Sequence, residues 1–265
     1  MSKSNNYLAI IEKIFFSHYQ EGMREFEFNR TEIATMAAEL GIAIPKNVGD
    51  VIYSVRYRIN LPKNISNTAD VGYEWIISGV KRAGYKFHQV KMNRVVPRDD
   101  LVTIKIPDAT PEIIERYALS DEQALLAKVR YNRLIDTFLG ITASSLQNHL
   151  RTTVKGVGQI EIDEIYVAID KYGRQFVIPV QAKGGNDKHA VVQTKQDILC
   201  CAEKFPQLIC KAVSAQFMAN NKIAMFELVV QDDEVKIVDE KHYLLVSASS
   251  ITDDDIVQYS HLAKP

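Results

Sequence analysis

The sequence predicts a mixed α/β chain in two parts: a smaller helical part closed by a hairpin, then strands and helices around a sheet. Three observations predict it. Apolar residues recur at helical spacing over 6–18, 31–41 and 45–60, then alternate over 73–90. Two further alternating runs flank Asp170-Lys171-Tyr172-Gly173 in QIEIDEIYVAIDKYGRQFVIPVQAK, residues 159–183, a hairpin pattern. Between the parts, PRDDLVTIKIPDATP carries prolines at 97, 107 and 111, which marks a boundary.

Composition is that of a globular protein, 46% hydrophobic and 25% charged over 265 residues. No apolar run approaches the ~20 residues of a membrane span. The first residues, MSKSNNYLAIIEKIFF, lack a small-residue cleavage site, so no signal peptide is expected. Cys200, Cys201 and Cys210 are too few and too clustered for a disulfide framework or a zinc site, which fits a reducing cytoplasm. Net charge is −1 but unevenly spread. Residues 1–98 carry 14 Lys+Arg against 9 Asp+Glu, a net of +5; the remainder carry 18 against 24, a net of −6. Within 46–98 the count is 10 against 3, a net of +7, a distribution that suits a part meeting phosphate.

In the first part, Leu8, Ile11, Ile14 and Phe15 mark one face of a helix. Phe26-Glu27-Phe28 reads as a short strand, and Asn29 with Glu32 reads as a helix cap. The helix that follows stops at Gly41, and Pro45 is expected to open the next, with Val51, Ile52 and Val55 facing a core. Two helices joined by a short Gly-containing turn resemble a helix-turn-helix. With the hairpin at 73–90, turning about Lys81-Arg82-Ala83-Gly84, the whole resembles a winged helix. That resemblance implies base and phosphate contacts from Lys46, Asn47, Ser54, Arg56 and Arg58 on the second helix, and from Lys81, Arg82 and Lys86 on the wing. Trp75, Tyr85 and Phe87 are expected in the core.

After a strand within 101–106, residues 111–139 read as helical, capped at Ser120. Glu122 shares a face with Leu125, Leu126 and Val129, so it stands on or beside the buried stripe. SSLQNHLRTTVKGVG is expected to be a short helix and a loop, with His149, Arg151 and Lys155 as candidates for phosphate contact. Beyond the 159–183 hairpin and Gly184-Gly185, DKHAVVQTKQDILCCAEKFP reads as a helix with Gln193 and Gln196 one turn apart. Strands follow in LICKAVSAQFM, IAMFELVVQ and KHYLLV, the last two joined about Asp232-Asp233. Asp253-Asp254-Asp255 reads as a helix start.

The chemistry lies in the hairpin. Side chains on a strand alternate faces, so Glu161 and Asp163 share one face of the first strand and Gln181 and Lys183 share one face of the second. If register joins them, carboxylates, an amide oxygen and an ammonium converge, a donor set for a hard cation such as Mg2+. Asp163 and the tripeptide Gln181-Ala182-Lys183 resemble the signature of PD-(D/E)XK nucleases, with Ile162 in place of the usual Pro and Gln181 in place of the second acid. The order of elements over residues 111–265 resembles that family's αβββαβ core, a central mixed sheet flanked by helices, one strand short.

The resemblance implies a Mg2+-dependent endonuclease (with Mn2+ as a substitute) that hydrolyses double-stranded DNA in the manner of type II restriction enzymes. Asp163, Gln181, Lys183 and Glu122 would be its catalytic residues, with Asp163, Gln181, the Ala182 carbonyl and Glu161 as metal ligands. Implied domains are a winged helix at 1–98, a linker at 99–110 and a nuclease domain at 111–265. Implied partners are duplex DNA, a second copy of the chain and a cognate DNA methyltransferase, with no membrane. Two alternatives stand beside this reading: a repair or mobile-element nuclease of the same fold, and a non-enzymatic winged-helix regulator with a ligand-sensing C-terminal domain.

Overall fold

The computed structural model describes residues 3–57, 59–117, 121–184 and 187–262. Arg58, Ser120 and Gly185, three residues singled out in the sequence, lie outside the described residues. The chain forms two compact units. One comprises Met1–Arg94, Thr153–Ile160 and Ala190–Gln196; the other comprises Val95–Thr152, Glu161–His189 and Asp197–Pro265.

The N-terminal unit runs α1 (Lys3–His18), β1 (Glu25–Asn29), α2 (Arg30–Glu39), α3 (Gly49–Tyr57), α4 (Lys63–Ser66), β2 (Glu74–Lys81) and β3 (Gly84–Val90). The strands form an antiparallel sheet in the order β1-β3-β2. Ala83, in the left-handed region at φ 60°, closes the tight turn between β2 and β3. The apolar faces expected from helical spacing meet in one core: Ile11, Ile14 and Phe15 of α1 and Val51, Ile52 and Val55 of α3 pack with Trp75 and Phe87. Tyr85 packs against that core, half-buried. The Glu32 carboxylate accepts from the Asn29 N–H at 2.6 Å, so α2 begins where the capping pattern put it.

Helix α3 begins at Gly49 and not at Pro45. The cause is Asn47, whose Oδ1 accepts from the Gly49 N–H at 3.1 Å while its Nδ2 donates to Asp50 at 2.8 Å. Asparagine side chains that bond nearby backbone close turns in this way.

The second unit is mixed α+β around an eight-stranded mixed sheet. In chain order the remaining elements are β4 (Arg94–Val95), β5 (Thr103–Pro107), α5 (Glu112–Tyr117), α6 (Asp121–Tyr131), α7 (Leu134–Leu139), β6 (Thr142–Val154), β7 (Gly158–Ile169), β8 (Gln175–Lys183) and β9 (His189–Ala190). There follow α8 (Val191–Lys204), β10 (Ile209–Cys210), β11 (Ala212–Phe217), β12 (Lys222–Gln231), β13 (Glu234–Val246) and α9 (Asp253–Leu262). Sheet order is β5-β13-β12-β11-β8-β7-β6, with β10 also beside β8. Pairing of β8 with β11 and of β13 with β5 is parallel; β7–β8, β11–β12 and β12–β13 are antiparallel.

The segment read as a short helix at SSLQNHLRTTV is instead strand β6. Most of its residues are exposed, so neither face shows the apolar alternation that marks a half-buried strand. Its Ser, Asn and Thr residues are weak helix formers. With β6 included, the order of elements here is α6, α7, β6, β7, β8, β9, α8, β10, β11. The β12–β13 turn uses Asp232 and Asp233, both at positive φ, as a two-residue hairpin of this twist requires.

The core of this unit lies on one sheet face. Phe176, Ile178, Val180 and Ala182 of β8 pack with Leu125, Leu126 and Val129 of α6 and with Leu134, Ile135 and Phe138 of α7. Odd-numbered residues of β8 therefore point to the opposite face. Among the described residues no helix is long and apolar enough to cross a membrane.

Candidate active site

Strands β7 and β8 pair from Ile169 opposite Gln175 to Glu164 opposite Val180. One step further on, two side chains take the place of ladder bonds. Asp163 Oδ2 accepts from the Ala182 N–H at 2.8 Å, and Gln181 Nε2 donates to the Glu161 carbonyl at 3.1 Å. The hairpin thus parts at Asp163 and Gln181 with its backbone groups satisfied by those residues. Lys183 Nζ stands 3.5 Å from Glu122 Oε1, near the start of α6. Asp163, Gln181, Ala182, Lys183 and Glu122 are therefore brought together.

Gln181 is 1% exposed, and its Nε2 also donates to Asp197 Oδ2 of α8 at 3.0 Å. The Glu161 carbonyl can only accept, which assigns Nε2 as the nitrogen end of the carboxamide. Asp197, 2% exposed, was not read from the sequence. Burial pushes its carboxyl well above the usual carboxylate range; neighbouring Asp163 adds to the rise, and Gln181 and Lys183 oppose it. Burial also raises Asp163, against the Lys183 charge and the Ala182 N–H, while Glu122 adds to the rise. Two acids and one lysine in a poorly hydrated place form a site whose protonation is balanced by close neighbours.

The parallel ladder with β11 sets Ser214 beside Gln181 and Gln216 beside Lys183. Ser214 and Gln216 are buried. Gln216 Nε2 donates to the Val95 carbonyl at 3.2 Å, and among the described residues its Oε1 is buried without a partner. Period-two polar residues in the apolar strand AVSAQF were the signal for this pair. For Asp197 the signal was an acid three and four residues before Cys200 and Cys201, on the apolar stripe of α8.

Glu161 stands apart from this group. It is exposed, and its carboxylate pairs with Arg151 at 3.1 Å and His149 at 3.5 Å, both on β6. Glu164, on the opposite face of β7, is buried and accepts from Arg130 Nε at 2.9 Å. Gln193 Oε1 accepts from the Ala190 N–H at 3.3 Å and Gln196 Oε1 from Tyr57 Oη at 3.0 Å, so both helix glutamines are engaged in the N-terminal unit.

Among the described residues no three His, Cys, Asp or Glu side chains cluster closely enough to hold a metal ion. A hard cation that keeps waters and bonds substrate phosphate needs few protein ligands. Asp163 fits that sparse set: one oxygen accepts from Ala182, and the other accepts no hydrogen bond among the described residues.

The candidate DNA contacts divide by exposure. Lys46, Asn47, Lys81 and Arg82 are exposed, and Ser54, Arg56 and Lys86 are half-buried. Lys86 pairs with Glu25 at 2.8 Å and Lys81 with Glu27 at 3.4 Å, ion pairs across the sheet. Asn47 is committed to the turn before α3. Arg56 does not reach outward; two of its guanidinium nitrogens are buried.

Compared with family models, with curated proteins and with solved structures, the chain matches none.

Proposed function

We propose that this chain is a Mg2+-dependent endonuclease that hydrolyses phosphodiester bonds of double-stranded DNA, of the type II restriction kind. The observation that carries the reading is the meeting of Asp163 with Gln181-Ala182-Lys183 where the β7–β8 ladder parts. A bound Mg2+ would polarise the scissile phosphate and lower the pKa of an attacking water. Asp163 and the Ala182 carbonyl would hold it, with Gln181 as a neutral oxygen donor. The Lys183 ammonium would orient the water and stabilise charge developing on the phosphate. Gln216, beside Lys183 in the sheet, would help hold that ammonium in place.

In this reading the N-terminal unit is a winged helix that grips DNA. Support comes from its order of helix, strand, three helices and hairpin, and from the +7 excess over residues 46–98. Cutting both strands of a duplex suits a two-fold dimer, and a restriction enzyme implies a partner methyltransferase.

The test is supercoiled plasmid incubated with the full chain and Mg2+, with a chelator control. Metal-dependent linear product with defined ends is expected. Intact plasmid under Mg2+ and Mn2+ alike, from a folded chain, would reject the reading.

A further inference from the structure

The N-terminal unit contains a cavity of about 640 Å³, and all the described residues of its wall belong to that unit. Three cations, Arg56, Lys63 and Arg94, line it among the described residues, against a single acid, Glu74. Trp75 and Tyr73 add aromatic wall.

Arg56 is the informative member. It follows Val55 and lies one turn beyond Ile52, at the edge of the apolar stripe of α3. A long cation there usually carries its charged head out to water. Here the guanidinium lies beside the Tyr57 ring, 5.1 Å from its centre. Its Nε and Nη2 are both buried and, among the described residues, meet no acceptor. Those two nitrogens form one edge of the guanidinium, the edge that takes a two-oxygen anion side-on. Arg98 of this same chain uses that edge on Asp100, with Nε at 3.0 Å and Nη2 at 2.8 Å from the two carboxylate oxygens. Arg56 presents the same edge with no such partner among the described residues, on the wall of a cation-rich cavity. Leaving buried donors of a charged group unmet is costly.

We propose that this cavity binds a small organic oxyanion, a phosphate or carboxylate, held side-on by Arg56, with Lys63 and Arg94 adding charge. The proposal does not depend on cleavage by the other unit. The phosphate has two sources, a free small molecule or a nucleotide of bound nucleic acid, and both present the same two oxygens.

The experiment is calorimetric titration of the full chain with inorganic phosphate, deoxyadenosine monophosphate and benzoate, alongside thermal melts. At least one probe should bind with one site per chain and raise the melting temperature. Arg56→Met, which keeps an apolar stem, should weaken that probe by about tenfold or more. Arg56→Lys should weaken it too, because it keeps the charge and loses the fork. If the Arg56 variants do not fold, the exposed Lys63→Gln should still weaken binding severalfold. A short duplex added to the complex distinguishes the sources: displacement of the probe marks a nucleic-acid phosphate, and retention marks a free small anion. Absence of saturable binding by every probe at millimolar concentration overturns the proposal, as does unchanged affinity in Arg56→Met or, where that variant does not fold, in Lys63→Gln.

Discussion

The amide nitrogen of Gln181 points at the carboxyl of Asp197 across 3.0 Å, strand to helix, in a fully buried contact. The consequence concerns charge. In the nuclease reading proposed above, Gln181 would stand where the pattern has its second acid; a buried carboxyl, Asp197, lies beside it on α8. Burial raises both Asp197 and Asp163, Asp163 adds to the rise of Asp197, and Lys183 opposes both. The neutral strand residue and the buried helix acid are best understood as one donor–acceptor pair.

Exchange of the pair tests this. Gln181→Glu alone sets two carboxyls against each other and should destabilise the fold, more as pH rises. Asp197→Asn alone should be mild, because the Asn oxygen can still accept from Gln181. The double variant restores a donor facing an acceptor with the roles reversed. A thermodynamic cycle from denaturant melts should give a favourable coupling of about 0.5–3 kcal/mol. Strict additivity would mean that the contact does not organise the site.

Asp197 should also leave a signature in stability against pH. Its folded pKa is raised, so between the unfolded value and the folded one the native state holds the proton more tightly. Stability then falls as pH rises through that window and levels off above it. Asp197→Asn removes the ionisation. Its melting temperature should match the parent in mild acid and exceed it by a few degrees at neutral and alkaline pH. Parallel pH profiles for the two proteins would remove the buried acid from the account.

If the chain cleaves DNA as proposed, Asp163 and Lys183 are expected to be indispensable to cleavage. Lys183→Ala should lower the rate by roughly 10²–10³ or more, the scale of losing one preorganised stabilising group. Asp163→Ala should abolish nicking, while DNA binding persists in both. Because burial raises Asp163, cleavage should switch on with rising pH above the ordinary carboxylate range. A rate flat from pH 4 upward, or a cutting Asp163→Ala variant, would dismiss the assignment.

How far the sequence disclosed this site depends on which forces act locally. The β7–β8 hairpin was legible because burial on one face writes period-two alternation into the chain. The start of α2 was legible because Asn29 and Glu32 satisfy each other within four residues. Strand β6 was not, since exposed Ser, Asn and Thr carry no periodic signal and only pairing with β7 makes them a strand. The start of α3 was misplaced because the Asn47 side chain outweighs the preference of Pro45 for a first turn. Asp197 and Gln216 were visible as polar residues on apolar faces, but the partner of Asp197, Gln181, is 16 residues away on β8, and that of Gln216, Val95, is 121 residues away on β4. Glu161 looked equivalent to Asp163 by parity, yet at the parted end of the hairpin it turns to Arg151 and His149.

Arg82 is exposed at the tip of the β2–β3 turn, whereas Lys81 and Lys86 are held by Glu27 and Glu25. If this hairpin lies on phosphate, Arg82→Ala should weaken binding to all sequences. It should flatten the plot of log affinity against log salt by about 0.9, one phosphate contact on duplex DNA. Glu27→Gln should do the opposite, because it releases Lys81 and removes a charge that repels the backbone. Both surface changes are expected to alter stability by less than about 0.5 kcal/mol, so the melting temperature serves as the control. Gel shifts of the full chain at several salt concentrations, in Ca2+ to hold off cleavage, measure the slopes directly. Equal slopes for parent, Arg82→Ala and Glu27→Gln would place the phosphate contacts elsewhere and leave the hairpin as packing for the N-terminal core.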